Sequence, residues 1–226
     1  MKTLKQHINE ALKIGKNLSE WSSYSCQPKD KAELEQIIKE RISKEGPNCD
    51  LNDIDTSLIT DMYHLFYESN FNGNISRWDV HNVTNMESMF ALSVFNGDIS
   101  NWDVSKVQNM SYMFDRTKFN GNISKWDVSN VTNMVGMFVH SVFNGDISKW
   151  NVSTVKYMAD MFNDSKFNQP IGDWNVSNVR GMGWMFENSE FNQNISNWNI
   201  SNNCATVEIF TNCPIKEEYK PKSLQS

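Results

Sequence analysis

The side chains best suited to acid–base, nucleophilic or metal chemistry in this chain are four histidines and four cysteines. Catalysis needs such groups to converge, but His7, His64, His81 and His140 have no nucleophile or ligand spacing beside them. Cys26, Cys49, Cys204 and Cys213 lack the close pairing of a zinc site and read as reduced structural thiols. No glycine-rich phosphate loop occurs, and the recurrent Phe-Asn-Gly turn opens no dinucleotide motif. The expectation is a non-catalytic chain without cofactor or metal. The acidic groups that do align are Asp79, Asp103 and Asp127, followed at the same interval by Asn151, Asn175 and Asn199. Three carboxylates one strand spacing apart would suit a cation or a basic partner, although such groups are more often solvated and screened.

That alignment comes from a repeat of 24 residues without a single insertion or deletion. Trp78, Trp102, Trp126, Trp150, Trp174 and Trp198 keep the interval, as do the series from Phe71 to Phe191, Phe66 to Phe210 and Met62 to Met182. The unit reads F-N-G-x-I-S-x-W-D-V-S-x-V-x-x-M-x-x-M-F with four variable residues after it. It absorbs all 13 Phe and 11 of the 12 Met, so the aromatic and Met excess is a repeated core rather than a Met-rich binding surface or a row of Trp sugar platforms.

Within a unit, Ile75, Trp78 and Val80 follow the spacing of a leucine-rich-repeat strand. Val83, Met86, Met89 and Phe90 then follow one face of a short helix. Serines such as Ser105 and Ser129 stand where they would cap that helix. The fold expected is an α/β solenoid, a right-handed array of strand and short-helix coils. Six coils stacked at about 4.8 Å would make a rod of roughly 30 Å. Asn72, Asn96, Asn120, Asn144, Asn168 and Asn192 would form a buried amide ladder that satisfies turn carbonyls.

The array is expected over residues 49–210, with Leu51, Ile54 and Ile59 as a degenerate first coil and Cys204, Val207, Ile209 and Phe210 as a degenerate last one. Residues 1–48 read as a helical cap. Its first helix would run from Leu4 to Ile14; its second is announced by Asp30 and Glu33, carries Leu34, Ile37, Ile38 and Ile42, and stops at Gly46-Pro47. Residues 211–226 read as a flexible tail.

The net charge is -6, and residues 51–210 hold nine basic and 17 acidic groups, which disfavours nucleic acid as a partner. Carboxylates at about 4.8 Å also fail to match phosphates about 7 Å apart along a strand, which argues against DNA mimicry. The first residues lack the apolar run of a secretory signal, no window is apolar enough to insert in a membrane, and sequons such as Asn74-Ile-Ser and Asn122-Ile-Ser stand where glycans would obstruct packing. A cytoplasmic location is expected, with surface or virion display as the alternative.

Segments such as FNGDISNWDVSKVQNMSYMF (95–114) and FNGNISKWDVSNVTNMVGMF (119–138) resemble the BspA-like leucine-rich-repeat surface proteins, in particular the repeats abundant in mycoplasma lipoproteins. The resemblance spans about residues 49–210 and implies a solenoid that binds other macromolecules, often as an adhesin. It supplies no catalytic residues, and the chain shows neither the export signal nor the anchor of such adhesins. Specificity must then reside where repeats differ, and the variable columns hold Tyr112, Tyr157 and Trp184 as the candidate protein interface. The function expected is a protein-binding scaffold of bacterial or phage origin, acting on a host component. An adhesin or virion component and a protein that sequesters a small ligand are the alternatives, and homo-oligomerisation is open.

Overall fold

A computed structural model describes residues 24–225; the helix expected from Leu4 to Ile14 lies outside them. Helix α1, Lys31–Glu45, begins at Asp30, whose carboxylate accepts the Glu33 N–H at 3.0 Å, and ends at Gly46 with φ 89°. It buries Leu34 and Ile38 against the first coil. Arg41 ties it there by a two-pronged contact to Asp53 and a bond to the Asp50 carbonyl.

From there the chain is a stack of 24-residue coils. Isolated parallel bridges join Asp61, Asn85, Asn109, Asn133, Tyr157, Gly181 and Ala205, each to the next. The N–H groups of Met86, Ser88, Phe90 and Leu92 donate to the carbonyls of Asn109, Ser111, Met113 and Asp115 one coil further on, at 2.8–3.0 Å. Between them Met89, Ala91 and Ser93 donate backwards to the carbonyls of Met86, Ser88 and Phe90.

This alternation corrects the expected secondary structure. Among the described residues of the repeats there is neither an α-helix nor an extended strand, and the parallel bridges that run along the stack follow the Asn85 column, while the expected strand segment has only the bridges Cys26 to Ile54 and Asp50 to Asn74 at the N-terminal end. A helix would send every N–H to its own fourth-preceding carbonyl. Here half of them bind the neighbouring coil and the rest close successive tight turns. Those turns need two left-handed residues per coil. His64, Ser88, Tyr112, Gly136, Asp160, Trp184 and Glu208 fill one column and Glu68, Leu92, Arg116, His140, Asp164, Asn188 and Asn212 the other, all at φ of 51–58°. A non-glycine residue there costs on the order of 1 kcal/mol, offset by the bonds to the next coil.

The core runs the length of the stack. At the consensus positions between Phe71 and Phe191, Ile, Trp, Val, Met and Phe are at most 4% exposed. Phe90, Phe114, Phe138, Phe162, Phe186 and Phe210 form one ring ladder with centroids 5.6–5.9 Å apart, and Phe71 to Phe191 form a second at 6.2–6.4 Å. The two ladders touch within each coil, as at Phe138 and Phe143, 4.2 Å apart. Tryptophan is distinguished from phenylalanine by its N–H. Trp102 donates to the Ile75 carbonyl of the coil before, and Trp126, Trp150, Trp174 and Trp198 repeat the bond at 3.0–3.2 Å.

The C-terminal residues also differ from expectation. Ile215 is buried, Tyr219 and Leu224 pack on the core, and the Tyr219 carbonyl accepts the Ile195 N–H. Apolar side chains four or five residues apart let this segment cover the open end of the last coil.

Candidate interaction surface

The aligned carboxylates are turn-forming groups. Asp103 Oδ1 accepts the Ser105 N–H at 3.1 Å and Asp127 Oδ1 the Ser129 N–H at 3.0 Å; Asp79 receives the His81 N–H and lies 2.5 Å from His81 Nδ1. Asn151 and Asn175 accept from Ser153 and Ser177 in the same way. Only one acceptor oxygen is used, so Asn can replace Asp in the column, as it does from Asn151 onward. The serines are therefore donors to a side chain and do not cap a helix. The Asn74, Asp98, Asn122, Asp146 and Asn194 column makes the same turn with the serine two residues on. That turn accounts for the sequons, and it corrects the packing argument against glycans, because Asn74, Asn122 and Asn194 are exposed.

The turn has a consequence in acid. Ser105 holds the Asp103 carboxyl below its usual range through hydroxyl and N–H, and Ser100 and Ser148 do the same for Asp98 and Asp146. Their stabilisation is complete above about pH 4 and is lost as pH falls through the lowered values. Asp103→Asn is expected to keep the turn and flatten its share of the acid dependence in thermal melts. Asp103→Ala should lose about 0.5–1.5 kcal/mol at neutral pH; equal behaviour of the two variants would refute the assignment.

The Phe-Asn asparagines form a ladder, but an exposed or half-exposed one. Each Oδ1 accepts the backbone N–H of the next asparagine, from Asn72 and Asn96 through Asn168 and Asn192 and on to Lys216, at 2.8–3.2 Å. The amide oxygen faces a backbone donor, not a turn carbonyl, because the repeat brings an N–H to that place in every coil.

Tyr112, Tyr157 and Trp184 are 37%, 45% and 37% exposed. Tyr112 and Trp184 occupy the same left-handed column three coils apart, about 14 Å along the stack. Tyr157 stands in the adjacent bridge column, where it replaces a turn-forming asparagine. Their rings are seated individually. Tyr112 lies over Gly136, where a Cβ would come within 2.3 Å of its ring, and burial pushes its phenol pKa up. Trp184 Nε1 donates to Glu208 at 2.8 Å. Tyr157 is the least restrained.

Beside these columns the first coil holds exposed and half-exposed rings that the sequence reading did not assign to an interface. Tyr63, His64 and Tyr67 stack on one another at 3.8 and 4.5 Å, with Lys31 Nζ 4.9 Å above the Tyr63 ring. Their position in the degenerate first coil hid them, although the period places His64 two units before Tyr112, and Tyr63 and Tyr67 two units before Ser111 and Asp115. Asp115 is half-buried; burial raises its pKa, and Arg116 and His140 nearby oppose the shift. Burial raises the thiol pKa of all four cysteines, which remain unpaired. Among the described residues no group of three His, Cys, Asp or Glu could hold a metal ion, and no helix is long and apolar enough to cross a membrane.

No curated protein and no solved structure matches the chain. Two overlapping stretches, residues 33–141 and 115–220, match the family described as Mycoplasma protein of unknown function, DUF285. Together they span residues 33–220, from the first turn of α1 through the coils and past Tyr219, and the chain belongs to that family.

Proposed function

We propose that the chain is a non-catalytic scaffold that binds another protein through Tyr112, Tyr157 and Trp184. In this reading the stack is a right-handed solenoid of the leucine-rich-repeat kind, and the BspA-like resemblance of its repeats is one of common architecture. The observation that carries the proposal is the placing of three large rings on one face of a molecule whose other array tryptophans are buried. A rigid aromatic side chain exposed beside small neighbours such as Gly136, Gly181 and Gly183 is the common anchor of a protein interface. The polar columns are occupied by their own turns and offer less.

The test is quantitative capture from a native extract by the full chain and by Trp184→Ala. Retention of the principal partner is expected to fall about tenfold or more; undiminished retention sinks the interface. The partner's origin separates the two versions of the reading: a cytoplasmic component supports an intracellular scaffold, a host-surface or extracellular one supports an adhesin.

A further inference from the structure

The face that carries the three rings is acidic on balance. Its outward columns include Glu68, Glu87, Asp115, Asp160, Asp164, Glu187 and Glu208, against Arg116 among them and the exposed Lys156 and Arg180 in the column just before Tyr157. Lys118 and Lys166 stand two positions beyond Arg116 and Asp164, and Lys166 is paired with Glu190. The carboxylates are oriented mainly by neutral donors. Asn109 Nδ2 donates to Glu87 at 2.8 Å, Asn163 Nδ2 to Asp160 at 2.9 Å and to Glu187 at 3.2 Å, and Trp184 to Glu208. Such partners fix the geometry of a carboxylate and leave its charge uncancelled.

The face already shows how it takes a cation. Lys31 sits over the Tyr63 ring with its ammonium 3.3 Å from Glu35, a lysine held between an aromatic face and a carboxylate. There the carboxylate comes from α1; on the coils themselves Tyr157 and Asp160, and Trp184 and Glu187, place a ring and a carboxylate three residues apart on adjacent coils. Two coils advance about 9.6 Å, close to three residues of an extended peptide.

Resting on the protein-binding reading, we propose that this face binds a lysine- and arginine-rich segment of the partner, its cations placed over Tyr112, Tyr157 and Trp184 and against the intervening carboxylates. A second copy of the chain would bring like charges together through this face. Nucleic acid would be repelled.

The experiment is fluorescence anisotropy of the full chain with a labelled peptide of repeated Lys-Ser-Arg units, against a Gln-Ser-Gln peptide of equal length. Binding is expected for the cationic peptide alone, weakening with added salt. Asp160→Asn with Glu187→Gln keeps the acceptor oxygens and should cost about tenfold in affinity. Asp98→Asn with Asp146→Asn, the same charge change on another face, should change it less than about twofold. Equal losses in the two double variants, or no binding, overturn the proposal. Competition settles its relation to the function: a partner held through Trp184 but not displaced by the cationic peptide overturns the cationic assignment alone. Capture indifferent to Trp184→Ala sinks both.

Discussion

Phe138→Ala is expected to cost about 3–5 kcal/mol in urea-induced unfolding. Phe138 is fully buried at the crossing of both ring ladders, with Phe114 at 5.6 Å, Phe162 at 5.8 Å and Phe143 at 4.2 Å. Its backbone also joins two coils through the bond from its N–H to the Met161 carbonyl, so the cavity cannot close without moving a ladder. Each coil contacts mainly its neighbours, and a defect in the middle should uncouple the two halves and broaden the transition. Phe210, at the last coil and only half-buried beneath Lys220, should tolerate the same change at clearly lower cost. Equal losses at the two positions would contradict a continuous core.

Gly73→Ala is the second large effect. A Cβ at Gly73 would come 2.0 Å from the Cys49 carbonyl oxygen, which itself accepts the Asn74 N–H. Backbone must move and a coil-to-coil bond must stretch, at about 1–3 kcal/mol. At Gly121 the nearest atoms are the Phe119 ring, 2.9 Å away, and later coils carry Gln169 and Gln193 at this place, each donating to the asparagine ladder. Gly121→Ala should therefore cost less, and parallel thermal melts of the two variants decide it. The glycine of the Phe-Asn-Gly turn is thus required where the first coil meets residue 49 and is replaceable further along.

The inward residues were legible because an identical side chain every 24 positions has one economical explanation, a stacked core. Local conformation was not. Val83, Met86, Met89 and Phe90 have helical spacing, but a sequence of one coil does not reveal that alternate N–H groups will find carbonyls on the next. Nor does it mark Ser88, Tyr112 and Trp184 as left-handed, since none has the residue type that usually announces that conformation. The meaning of Asp103 was readable in part: Asp-x-Ser and Asn-x-Ser at a fixed place signal a side-chain turn, a plainer reading than a cation site. The three candidate rings were found from the variability of their columns. The acidity around them emerges only once the turns assign which positions face outward.

Amide hydrogen exchange of the chain, alone and with its captured partner, tests the central claim most directly. The account predicts added protection in residues 109–116, 157–164 and 181–188, the turn segments that carry Tyr112, Tyr157 and Trp184, with the Asp103 and Asp127 turns unchanged. Protection confined to residues 98–106 and 122–130, with the ring-bearing turns exchanging as in the free chain, would contradict it.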